Sequence, residues 1–106
     1  MPRSDSFKDY IVEDVLGHIE GISSRAMFSG HGIYLDGVIV GLIIDGAFFL
    51  KIDKNTKGLG LQFQYNRNGK IVSLPYALVP LEIFEDREKI EEYVYESFEI
   101  SRKDKK

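Results

Sequence analysis

The sequence predicts an α+β fold of two layers, an antiparallel sheet with helices on one face, in the order α-β-β-β-(loop)-β-β-α. Three observations carry this. Between Arg25 and Asp53, runs rich in β-branched and aromatic residues are broken by Asp36-Gly37 and Asp45-Gly46. Asp-Gly between apolar runs marks a hairpin, because a type I′ turn needs positive φ at both central residues. Apolar residues at helical spacing precede this block and follow it. The length of 106 residues, with 43% hydrophobic and 29% charged, fits one domain (1–106) with a single modest core.

Residues 1–5 read as a frayed leader. Ser6 is placed to cap a helix, with Asp9 adding favourable charge near its start. Phe7, Tyr10, Ile11, Val15 and Ile19 recur on one helical face. Gly21 offers a C-terminal stop, although Gly17 weakens the pattern enough for the helix to end near Leu16.

Ser24 to Met27 is a short strand or the approach to one. Ile33–Leu35, Val38–Ile44 and Ala47–Ile52 follow as a meander. Val38–Ile44 is apolar on both alternating faces, as a central strand covered on both sides or a dimer contact requires. Gly41 within it marks a bulge or a close backbone approach.

The polar loop from Asp53 to Gly60 leads to a second pair of short strands, Leu61–Tyr65 and Ile71–Leu74, around a turn at Asn66–Lys70. Pro75 and Pro80 argue against a central strand over Tyr76–Val79, since proline donates no ladder hydrogen bond. Asp86 caps a last helix with Ile90, Tyr93, Val94 and Phe98 on one face. Its glutamates, among them Glu88, Glu92 and Glu99, form the solvated side. The tail from Ser101 to Lys106 is expected to be disordered, including the 102–106 end.

A net charge of −3 does not describe a basic nucleic-acid binder, and no helix-turn-helix pattern is present, so direct DNA binding is not expected. The absence of cysteine excludes disulfides, thiolate catalysis and Cys-ligated zinc. Two histidines without metal-ligand spacing argue against a metal site, and nothing calls for a cofactor. The N-terminal residues lack the apolar stretch of a signal peptide, and no run approaches the roughly 20 apolar residues of a membrane span. A cytoplasmic protein without a membrane role is expected.

The meander also carries a recognisable sequence. Arg25-Ala26-Met27-Phe28-Ser29-Gly30-His31-Gly32-Ile33-Tyr34, then Asp36-Gly37, then Phe49-Leu50-Lys51-Ile52-Asp53, resembles the N-terminal domain of the TfoX/Sxy competence regulators. Phe63, Tyr65, Pro75-Tyr76 and Val79-Pro80 are similar to that family's later elements. Ser29 stands where the family usually has glycine, and Phe49 where it has tyrosine. The loop from Asp53 to Gly60 is shorter than the family's, and the C-terminal domain of the full-length regulators is missing. The resemblance implies a stand-alone domain of the secretion-chaperone-like type and a link to transcriptional regulation of DNA uptake.

Arg25, Ser29, His31 and Lys51 are the polar residues of this signature and the candidate binding residues. Arg25 and Lys51 suit a phosphate or carboxylate, with backbone amides near Gly30 and Gly32 assisting. The competing and favoured explanation pairs Arg25 with a carboxylate such as Asp53 and leaves the glycines to a bulge or bend. Ser29 and His31, two apart, share a strand face, but no nucleophile elbow or orienting carboxylate accompanies them, so no catalytic residue is assigned. The leading expectation is a non-enzymatic regulatory or protein-interaction module, acting as a homodimer and with an unidentified protein partner. The alternative is a small anionic-ligand or phosphate-binding domain using Arg25 and Lys51. Weak nucleic-acid binding comes third.

Overall fold

Six antiparallel strands form one sheet in the order β1-β2-β3-β4-β6-β5 in the structure, a computed structural model that describes residues 3–27 and 30–104. The strands are β1 (Ile22–Met27), β2 (Gly30–Leu35), β3 (Val38–Ile44), β4 (Ala47–Lys51), β5 (Gln62–Arg67) and β6 (Lys70–Leu78). The helices are α1 (Arg3–Asp9), running on as a π-helical turn (Tyr10–Val15), then α2 (Leu81–Phe84) and α3 (Arg87–Asp104). The α+β class, with an antiparallel sheet, is as the sequence predicts.

Three hairpins turn as their sequences require. Asp36 and Gly37 have φ of 51° and 82°, Asp45 and Gly46 have 53° and 73°, and Asn68 and Gly69 have 53° and 84°. Both central residues are left-handed in each, which matches the right-handed twist of the flanking strands. Ile22–Met27 is a full strand, so the meander has four strands.

Strand β3 is central, flanked by β2 and β4, and it is bulged. Ile33 faces Gly41 and Tyr34 faces Ile39, leaving Val40 as the extra residue. The bulge turns Val40 into the core, where it is fully buried beside Ile43. At Gly41 a β-carbon would meet the carbonyl oxygen of Phe49 at 2.5 Å, so the glycine answers a close backbone approach.

Pro75 corrects a sequence expectation. Strand β6 continues through it to Leu78 and lies between β4 and β5. Proline is tolerated because its nitrogen faces the β4 side just past that strand's end, where the β4–β6 ladder stops at Lys51 and Tyr76. No ladder donor is needed one residue past the last β4–β6 pair, while on the other side the β5–β6 register breaks, with Gln64 facing Ser73 and Gln62 facing Ala77. The Gln62 side-chain amide donates instead to the Leu74 carbonyl (2.8 Å), and the Pro75 carbonyl accepts from the Ile52 N–H (2.9 Å).

The helix ends also differ from expectation. Helix α1 begins at Arg3, so Ser6 lies inside it rather than capping it, and Arg3 to Asp5 are helical rather than frayed. Its π-helical end closes with the Leu16 N–H donating to the Ile11 carbonyl (2.9 Å), which stops the helix near Leu16. Helix α3 is capped by Asp86, whose Oδ1 accepts from the Lys89 N–H (3.1 Å), and it continues through Asp104 where a disordered tail was expected. Lys105, Lys106, Met1 and Pro2 lie outside the described residues.

The core lies between the helices and one side of the sheet. Ile11, Val15, Ile83, Phe84, Ile90 and Val94 meet Ile33, Leu35, Ile43, Phe48 and Leu50 there. Two buried serines tie α3 to the strands. The Ser97 hydroxyl donates to the Lys51 carbonyl (2.7 Å) and the Ser101 hydroxyl to the Ile39 carbonyl (2.6 Å).

Candidate functional site: the open face of the sheet

Alternation along a strand sends successive side chains to opposite faces. With Ile33, Ile43, Phe48 and Leu50 committed to the helices, the intervening residues face the other way. The register carries this side across the sheet: Arg25 faces Gly32, Gly32 faces Leu42, Leu42 faces Phe49, and Phe49 faces Leu78. One row on, Lys51 faces Tyr76, and Tyr65 faces Val72 on the last hairpin.

This second face is apolar. Phe49 meets Phe63 edge-on, with ring centroids 5.1 Å apart, and Phe63 lies 6.2 Å from Tyr65. Leu42 and Tyr76 are buried in it, while Ile44, Phe63 and Leu74 are half-buried and Tyr65 is 38% exposed. The face is also concave. Met27 of β1 and Tyr65 of β5 belong to opposite edges of the sheet, about 24 Å apart if it were flat. Both nevertheless line one cavity of about 590 Å³, floored by Leu42 and Ile44 and walled by Leu74 and Tyr76. The β5–β6 hairpin therefore curls towards β1 and β2.

The charged residues that alternation puts on this face are Arg25, Lys51, Arg67 and Lys70. Among the described strand residues of the face all four charges are positive, whereas the molecule as a whole carries −3. The carboxylates of α3 (Glu88, Glu91, Glu92, Glu96 and Glu99) belong to the helical layer. The Arg25 guanidinium lies over the Tyr34 ring (5.5 Å to the centroid) and the Lys51 ammonium over the Tyr76 ring (5.7 Å). Cations over ring faces are held in place by the ring quadrupole.

Of the four signature residues, Ser29 lies outside the described residues. His31, 8% exposed, belongs to the row of Ile33 and Leu35 and borders the cavity at its β2 end. Arg25 and Lys51 share the open face, but their strands are three spacings apart, about 14 Å across the sheet. A single compact anion does not bridge them. The favoured ion pair between Arg25 and Asp53 does not form either. Asp53 Oδ1 instead accepts from the Asn55 N–H (2.9 Å) and the Thr56 hydroxyl (3.3 Å). Gly30 serves close packing, since a β-carbon there would run into the Ile43 carbonyl.

Arg67 and Lys70 escaped the sequence reading, which took the stretch around them only as a turn. Their signal was the alternation Phe63, Tyr65, Arg67, which puts all three on one face. Among the described residues no group of three or more His, Asp or Glu side chains is arranged to hold a metal. No helix among them is long and apolar enough to cross a membrane.

Comparison with individual curated proteins gave no match. The family model of the TfoX N-terminal domain matches residues 14–100, from the π-helical turn through most of α3. The match takes in every strand of the sheet and both walls of the cavity, and on it the chain belongs to the TfoX N-terminal domain family.

Proposed function

We propose that this chain is a non-enzymatic protein-interaction module whose working surface is the concave open face of the sheet. The supporting observation is the one-sided coverage. Helices cover one face, while the other holds an apolar cavity and carries Arg25, Lys51, Arg67 and Lys70 on its strands. Contiguous exposed apolar surface of this kind marks a contact site more often than scattered single residues do. The family is named for a competence regulator, which makes control of genes for DNA uptake the process we assign, with the cytoplasm as its place.

The cavity is also of a size that small ligands occupy, roughly 300–1,000 Å³. An anionic ligand there is our second reading, with Lys51 as its nearer anchor.

Quantitative co-purification from the source cells separates a contact on this face from one elsewhere. The reading expects Tyr65→Glu to lose proteins that both the wild type and Tyr95→Glu, on the exposed side of α3, retain. Equal recovery by all three would contradict it.

A further inference from the structure

We propose that the cavity's partner is an acidic, amphipathic peptide segment, one that seats apolar side chains on Leu42, Ile44 and Leu74 and sets carboxylates against Arg25, Lys51, Arg67 and Lys70. The inference rests on the protein-interaction reading and names the chemistry of the partner.

Charge complementarity carries it. Three of the cations lie near a lining residue, and the fourth lies beside one of these three. Arg25 is two residues from Met27 on β1, and Arg67 two from Tyr65 on β5. Lys51 stands over Tyr76, and Lys70 is the register partner of Arg67. The positive charges come from four strands and share their face with the apolar floor. A ligand with one anionic head engages one of them, whereas a segment with several carboxylates engages them together. Opposite charges at a rim steer encounter and select the partner, even where each pair adds little affinity.

Two other occupants fit less well. A second copy docked face to face would bring two positively charged faces together, which is unfavourable. A single-stranded nucleic acid needs exposed ring faces for stacking. Here Phe49 and Phe63 are turned edge to face, Tyr34 is covered by Arg25, and Tyr76 is 8% exposed. Of the described aromatic residues lining the cavity, only Tyr65 is exposed.

The test is fluorescence anisotropy with three labelled probes on the full chain at low and high salt. They are a short peptide alternating Leu and Phe with Glu and Asp, the same peptide with Lys at every acidic position, and an oligothymidylate. The proposal expects the acidic peptide alone to bind, with affinity falling as salt rises. Arg67→Glu with Lys70→Glu, both exposed at the hairpin tip, should weaken it about tenfold or more and admit the basic peptide. Arg25→Gln should weaken it in the same direction, as an independent variant. Binding of both peptides alike, or of neither, would overturn the proposal, and so would preferential binding of the oligonucleotide. If no peptide binds while Tyr65→Glu still loses partners in cells, the interaction reading stands and the partner's chemistry is wrong.

Discussion

The hydroxyl of Ser101 donates a 2.6 Å hydrogen bond to the carbonyl of Ile39, sixty-two residues earlier in the chain. Ile39 flanks the bulge in β3, where the ladder with β2 is interrupted. A carbonyl beside a bulge loses regular strand pairing, and Ser101, 4% exposed, supplies a donor from α3. Ser97 does the same about one turn earlier at Lys51. Helix α3 is thus registered on the sheet by polar pins as well as by Ile90 and Val94.

Ser101→Ala removes that donor and leaves a buried acceptor unpaired. The expected loss is about 1–2 kcal/mol, read by urea denaturation with an unchanged m-value. Ser97→Ala should cost a similar amount, and a cost near zero for both would show that α3 does not depend on the pins.

Gly30→Ala pushes a β-carbon into the Ile43 carbonyl of the neighbouring strand. Backbone cannot yield as a flexible side chain does, so a loss of about 2 kcal/mol or more is expected in thermal unfolding. Gly46→Asn is the control. Gly46 is left-handed with open space around it, a conformation asparagine tolerates, and its effect should be below about 1 kcal/mol.

Tyr93 fastens the loop between β4 and β5, its hydroxyl donating to the Lys57 carbonyl (2.7 Å). Thr56 adds a contact to Glu96 (3.2 Å). Tyr93→Phe keeps the ring packing and loses the bond. Faster tryptic cleavage after the exposed Lys54 and Lys57 is expected, with global stability lowered by about 1 kcal/mol. Unchanged cleavage would mean that Thr56 and Leu59 hold the loop without it.

The parts of the fold that were legible in the sequence are those fixed by local chemistry. Asp36-Gly37 and Asp45-Gly46 predict their own turns because few residues accept positive φ, and Asp86 predicts its cap because the donor lies one turn away. The stretches that misled are governed by distant partners. Pro75 is acceptable in an interior strand only because the β4–β6 ladder ends one residue short of it, at Lys51 and Tyr76, and nothing near Pro75 announces that end. Nothing in the sequence marks Ser97, and Ser101 falls in the stretch expected to be disordered, although both are buried and donate to strand carbonyls. The candidate site was half visible. Arg25 and Lys51 stood out in the signature, but the curl that sets β5 across from β1 depends on β6 inserting beside β4. That pairing is long-range, and with it came the cavity and the roles of Arg67 and Lys70.

Tyr65→Glu places a charge on a partly exposed wall of the cavity, outside the helix-side core. Stability should change by less than about 1 kcal/mol. A larger loss would show that the cavity wall holds the fold together and is not a free contact surface.

The most direct measurement is photo-crosslinking in the source cells, with a benzophenone amino acid replacing Tyr65 in one strain and Tyr95 in another. Both positions are exposed, one beside the cavity and one on α3. The account predicts discrete protein adducts from position 65 that are absent from position 95. Adducts from position 95 alone, or from neither, would contradict the assignment of the open face as the working surface.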